Sequence, residues 1–162
     1  MLDDFARDIA AQGQRQEIKT ILAEVCRLTD MGFAAVARVT DTRWIACQVL
    51  DKIEFGLEPG SELELKTTIC AEIRESGVAV VIDQVSADRD WQRHPVPALY
   101  GFESYVSVPI VLPDGSFWGT LCAIDPNPRA LSNVELVAQI ERFAKQVADL
   151  LSDAGATSDV PA

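Results

Sequence analysis

Apolar positions along the chain switch between two periods, and the switches divide it into elements. From Gln14 to Asp30, Ile18, Ile21, Leu22, Val25, Cys26 and Leu28 recur at helical spacing. Gly32 is placed to close that helix as a left-handed cap. Ala34 to Val39 then reads as a strand, Thr40-Asp41-Thr42 as a turn, and Trp44 to Leu50 as the returning strand of a hairpin. Asp51 to Leu65 is polar around Pro59-Gly60, a loop with room for one short strand. Thr67 or Thr68 can cap a short helix that carries Ile69, Cys70 and Ile73 and stops at Ser76-Gly77. Val78 to Ile82 is a third strand. Asp83 to Gly101, with Pro95 and Pro97, is a long irregular stretch of the kind that is functional or mobile. Tyr105 to Leu112 and Ser116 to Ile124 flank Pro113-Asp114-Gly115 as a second hairpin. Ser132 and Glu135 have capping-box spacing and open a last helix that runs to about Leu151.

This order predicts an α+β domain around a mainly antiparallel sheet. Strands such as Ala34 to Val39 are apolar on both sides, so both sheet faces need cover. The first and last helices serve one face; the short helix and the irregular segment serve the other. Residues 14–151 carry this domain, with 1–13 as an N-terminal extension and 152–162 as a tail or linker.

The two long helices have wide apolar faces. On a wheel, Val137 to Leu151 places its apolar residues over roughly 160°, whereas one packing contact needs about 100°. The surplus has two readings, a broad interior face or a second subunit. On the second, Ile18, Ile21, Leu22 and Val25 with Ile140, Phe143, Val147 and Leu151 would join two copies in a helical bundle, a homodimer.

Composition changes the picture mainly by exclusion. The 162 residues include 14 Lys plus Arg against 25 Asp plus Glu, a net charge of −11. Phosphate backbones and anionic membranes would repel such a chain, so neither nucleic acid nor membrane is an expected partner. The longest aliphatic run, Val78 to Ile82, is far short of the ~20 residues of a membrane span. Met1-Leu2-Asp3-Asp4 has no basic region leading into an apolar one. A cytoplasmic location is the expectation. Cys26, Cys47, Cys70 and Cys122 match no CxxC pair and no zinc spacing, and read as buried thiols.

No catalytic constellation is present in the sequence, and no metal is expected. The sole histidine, His94, has no nucleophile motif around it; GxSxG and HExxH are both absent. What remains is a concave site on the thinly covered sheet face. The residues placed there are Cys70 on the short helix, Trp91, His94 and Tyr100 on the irregular segment, and Phe102, Tyr105 and Ser107 leading into the next strand. Each can equally be plain core.

A longer pattern then stands out. Phe102-Glu103-Ser104-Tyr105-Val106-Ser107-Val108-Pro109-Ile110, then Asp114-Gly115, then Trp118-Gly119-Thr120-Leu121-Cys122-Ala123-Ile124-Asp125-Pro126, resembles the strand–turn–strand signature of GAF domains. The resemblance covers about residues 14 to 151. It implies a GAF-like, PAS-related fold: an antiparallel sheet of five or six strands, terminal helices on one face and a ligand cavity on the other. It also implies a non-catalytic sensory module of a bacterial signalling protein, such as a sensor histidine kinase or a cyclic-dinucleotide enzyme, dimerising through its terminal helices.

Departures from the family's subgroups limit the ligand. Bilin-binding members carry cysteine followed by histidine; here His94 follows Arg93, so a covalent bilin is not expected. A histidine followed by proline on a loop faces solvent, so haem is not expected on His94. The four cysteines do not match the sulfoxide-reductase arrangement. The cofactor stays unknown and the ligand an unspecified small molecule. The rival readings are a thiol-dependent redox enzyme on the same fold, using Cys70 or Cys122, and a ligand-free dimerisation domain.

Overall fold

The computed structural model describes residues 2–64 and 68–159. Helices α1 (Asp4–Gln12) and α2 (Gln16–Thr29) lead into strands β1 (Phe33–Val39) and β2 (Trp44–Asp51). Then follow β3 (Glu62–Leu63), α3 (Cys70–Ser76), β4 (Val80–Ile82), a 3-10 turn at Val85–Ala87 and α4 (Pro95–Tyr100). Strands β5 (Ser104–Val111) and β6 (Phe117–Asp125) and helix α5 (Val134–Asp159) complete the chain. The strands form one six-stranded sheet in the order β3-β2-β1-β6-β5-β4. Every pairing in it is antiparallel. The α+β GAF-like architecture expected from the sequence is present.

Strand periodicity sorts the core into two layers, because successive side chains leave opposite faces. Ala34 and Val36 of β1, Ile45 and Cys47 of β2, Val106, Val108 and Ile110 of β5, and Leu121 and Ala123 of β6 pack under α1, α2 and α5. Their neighbours Phe33, Ala35, Tyr105, Cys122 and Ile124 face the other way, under α3 and α4. At Gly119 the strands come too close for a side chain: a Cβ there would sit 1.8 Å from the Ala37 carbonyl oxygen.

Several local expectations change. The left-handed cap of α2 is Asp30 (φ 59°) rather than Gly32. Gly32 serves close packing instead, since a Cβ on it would lie 2.3 Å from Ile53 Cγ2. Helix α3 begins after Ile69 with no side-chain cap, so Thr68 does not cap it; Thr67 lies outside the described residues. The 83–101 stretch is not irregular throughout, because Pro95 occupies the first turn of α4, where proline needs no N–H donor. Asn133 Oδ1 accepts from the Glu135 and Leu136 amides and caps α5, while Ser132 donates to Asp83.

Chain ends differ as well. Residues 4–12 form α1, whose Ala6 and Ile9 are buried against the core. Helix α5 continues past Leu151 to Asp159, and 160–162 lie outside the described residues. The eight residues assigned to a dimer seam are spoken for within one chain: Ile18, Ile21, Leu22, Val25, Ile140, Phe143, Val147 and Leu151 are all buried in the helix-side core. Three helices on a six-stranded sheet take up these eight side chains, while Leu28, Val137 and Leu150 of the same arcs keep partial exposure.

Candidate functional site

On the opposite face the cover is thin. Helices α3 and α4 are short, and the 52–64 loop completes the layer. Between them and the sheet lies a cavity of about 50 Å³. The sheet contributes Phe33, Trp44, Tyr105, Cys122 and Ile124; the 52–64 loop adds Phe55, Leu57 and Leu63. Thr68, Ile69 and Cys70 close it at α3, and Val96, Tyr100 and Phe102 at α4. That is well below the ~300–1,000 Å³ common for small-molecule sites, so a ligand of more than a few atoms enters only if α3, α4 or the 52–64 loop gives way.

Aromatic contacts form most of the wall. Phe33 and Phe55 have ring centroids 4.9 Å apart, Phe55 and Tyr100 5.9 Å, and Phe102 stacks on Tyr105 at 5.2 Å. Asp51 holds the 52–64 loop in place. Its carboxylate accepts from the backbone amides of Ile53, Phe55 and Gly56 at 3.1, 3.0 and 2.8 Å. Partial burial raises the pKa of Asp51, but these amides and that of Glu54 outweigh it and hold the carboxyl below its ordinary value.

The polar groups converge on one corner. Cys70 Sγ lies 3.2 Å from Thr120 Oγ1, 3.6 Å from Tyr105 Oη and 4.0 Å from Ser107 Oγ. The Cys122 thiol faces the same sulfur and is the largest influence lowering the Cys70 pKa; Thr120, Tyr105 and Trp44 act in the same direction against burial. Cys122 shifts the opposite way, raised by Cys70 and by burial. Tyr105 is likewise raised, first by burial and then by the two sulfurs. Any thiolate of this pair therefore resides on Cys70.

Trp44 supplies the least satisfied atom. Its side chain is 3% exposed and lines the cavity, yet Nε1 makes no hydrogen bond among the described residues. The indole N–H influences the Cys70 sulfur without closing a hydrogen bond to it. A buried donor left unpaired typically costs ~1–3 kcal/mol, which an incoming acceptor recovers.

Of the residues placed here from sequence, Cys70, Tyr100, Phe102 and Tyr105 line the cavity. Ser107 is fully buried behind Cys70 rather than on the wall. Trp91 and His94 lie apart from it. They pack on each other with centroids 4.8 Å apart, and His94 Nδ1 accepts from the Val96 amide to cap α4. His94 Nε2 is 3.6 Å from Glu72, and the ring borders a separate surface cleft with Ser86, Gln92 and Glu103. Sequence reasoning missed Phe33, Trp44 and Phe55, and named Cys122 only in the redox-enzyme reading. Alternation along β1 and β6 marks Phe33 and Cys122 as facing the same way as Ala35 and Ile124; nothing comparable marks Phe55. No group of three or more His, Cys, Asp or Glu among the described residues could hold a metal ion.

A model of the GAF domain family matches residues 15–154. No curated protein matches the sequence. Solved structures with a similar fold include a red/green cyanobacteriochrome in its red light-absorbing state (18% identity, TM-score 0.70, covering 90% of this chain and 97% of that one). The GAF domain of a two-component sensor histidine kinase from Bacillus halodurans is similar at 12% identity and TM-score 0.68, covering 89% and 97%. A type II free methionine-R-sulfoxide reductase from Thermoplasma acidophilum is similar at 12% identity and TM-score 0.64, covering 93% and 96%. At these identities the likeness is one of fold.

Proposed function

Because the chain belongs to the GAF domain family, we propose that it is a sensory module whose narrow cavity under α3 and α4 widens to take a small, flat, mostly apolar ligand with one hydrogen-bond acceptor. The observation that carries this reading is Trp44 Nε1, a buried and unpaired donor on the wall of an otherwise aromatic pocket. Phe33, Phe55, Tyr100, Phe102 and Tyr105 supply ring faces for a flat molecule, and the acceptor is bound by the indole N–H.

The route to an output is through β5. Tyr105 faces the cavity, while its neighbours Val106 and Val108 pack into the core under α5. A ligand that favours one position of β5 changes the seat of α5, and it shifts the equilibrium only by its difference in affinity for the two packings. On this reading the function is binding and relay rather than turnover of a substrate.

Thermal denaturation with a panel of bicyclic aromatic carbonyl compounds (coumarin, 4-quinolone and indole-3-carbaldehyde) tests the reading. Binding to the folded state alone raises Tm with ligand concentration. A rise with at least one panel member is expected; the absence of any rise across the panel to millimolar concentrations counts against the assigned ligand class.

A further inference from the structure

The Cys70 and Cys122 thiols are separated by 52 positions in the sequence, yet they meet at one corner of the cavity wall. Thr120 stands beside both. Its hydroxyl is 3.2 Å from Cys70 Sγ, and Cys122 projects from the same face of β6 two residues on. Neither sulfur is in a disulfide. The side chains are buried from bulk solvent but border a cavity that a small oxidant can enter.

We propose that Cys70 and Cys122 are a redox pair that a hydroperoxide converts to a disulfide, tying the first turn of α3 to the centre of the sheet. The proposal goes beyond ligand binding and does not depend on it. In the first step the Cys70 thiolate attacks one peroxide oxygen. The O–O bond breaks, Cys70 becomes a sulfenic acid, and the departing alkoxide takes a proton to leave as an alcohol. In the second step the Cys122 sulfur attacks the Cys70 sulfur, an S–S bond forms, and hydroxide leaves with the Cys122 proton as water. Two thiols and ROOH thus become one disulfide, ROH and H2O; two electrons pass from sulfur to oxygen. A dithiol reductant reverses the change by thiol–disulfide exchange.

The roles follow from the surroundings. The Thr120 and Tyr105 hydroxyls, 3.2 and 3.6 Å from Cys70 Sγ, and the Cys122 thiol favour the Cys70 thiolate, the nucleophilic form. Cys122 is held protonated chiefly by its bond to Cys70, a restraint that weakens once Cys70 has lost its charge as a sulfenic acid. The other two thiols lie in the helix-side core, away from the cavity. Cys47 donates to the Ile9 carbonyl at 3.3 Å and is pushed up to about 12 by burial. Burial also raises Cys26.

Peptide mapping after peroxide treatment of the reduced, folded, ligand-free protein tests this directly, because trypsin places each cysteine on its own peptide. The expected product has lost two hydrogens and shows peptide 67–74 linked to peptide 94–129, with Cys26 and Cys47 still open to alkylation after denaturation. In a Cys122→Ser variant the expected product is a Cys70 sulfenic acid trapped by dimedone. The proposal is overturned if Cys70 and Cys122 both remain alkylatable after peroxide, if Cys26 or Cys47 enters the cross-link, or if dimedone labels the cysteines of the variant without preference for Cys70. Failure of the aromatic panel to bind would leave these outcomes unaffected, so the two readings fail separately.

Discussion

Trp44 concentrates the argument at the scale of single residues. Replacing it with Phe keeps a ring on the cavity wall and removes only the N–H. If that donor meets the ligand's carbonyl, its loss leaves the acceptor unpaired. Trp44→Phe should then weaken binding of the tightest panel compound by about tenfold, corresponding to ~1.4 kcal/mol. Isothermal titration measures this, and an unchanged Kd would remove Trp44 from the recognition. Cys70, Tyr100, Phe102 and Tyr105, all candidates from the sequence, come to the cavity wall because they flank a thinly covered sheet face. His94 and Trp91, chosen for chemical versatility, do not line that cavity. In the folded chain the histidine's ring nitrogen is engaged in starting a helix. Trp44 itself was read only as the first residue of a strand, and no spacing rule distinguishes a satisfied indole from an orphaned one.

Elements position these residues, and the 52–64 loop is the one most dependent on a single side chain. Asp51, the last residue of β2, turns its carboxylate onto three backbone amides and so fixes Phe55 against Phe33. Asp51→Ala should lower stability by roughly 1–2 kcal/mol and weaken panel binding through the displaced aromatic wall. The carboxyl's folded-state pKa is depressed, so its contribution is fully present above the unfolded value of about 3.9 and is lost as pH falls through the lower folded value. Denaturant unfolding of both proteins from pH 7 downward should therefore show the wild-type advantage shrinking only below about pH 4; a difference that is constant to pH 2 would contradict the role. Strands and long helices were legible because periodicity reports them directly, and the hairpins matched closely. The short pieces were not. Helix α4 was hidden because two prolines read as breakers, although Pro95 sits where proline is tolerated. The cap of α2 moved from Gly32 to Asp30 because a polar residue can also take the left-handed conformation.

For the whole molecule, the sheet divides two kinds of interior. One side is a filled core in which α1, α2 and α5 use the apolar residues that the sequence had left over for a partner. Much of the breadth of those arcs is taken up by α1 and by the width of the sheet. The other side keeps space, aromatic walls, an unpaired donor and two adjoining thiols. Each strand carries residues of both sides in alternation, so the cavity and the seat of α5 share β5 as a common wall. That arrangement is what makes a binding event under α3 and α4 readable at the far helix.

The cavity's identity as the ligand site is tested most directly by following the three tryptophan indole N–H resonances of nitrogen-15-labelled protein during titration with the panel compounds. Trp44 lies on the cavity wall, whereas Trp118 belongs to the helix-side core and Trp91 packs on His94. Trp44→Phe assigns the signal. A saturable downfield movement of the Trp44 proton, larger than those of Trp91 and Trp118, is the predicted result. A Trp44 signal that stays fixed while ligand binding shifts the other two would contradict the account.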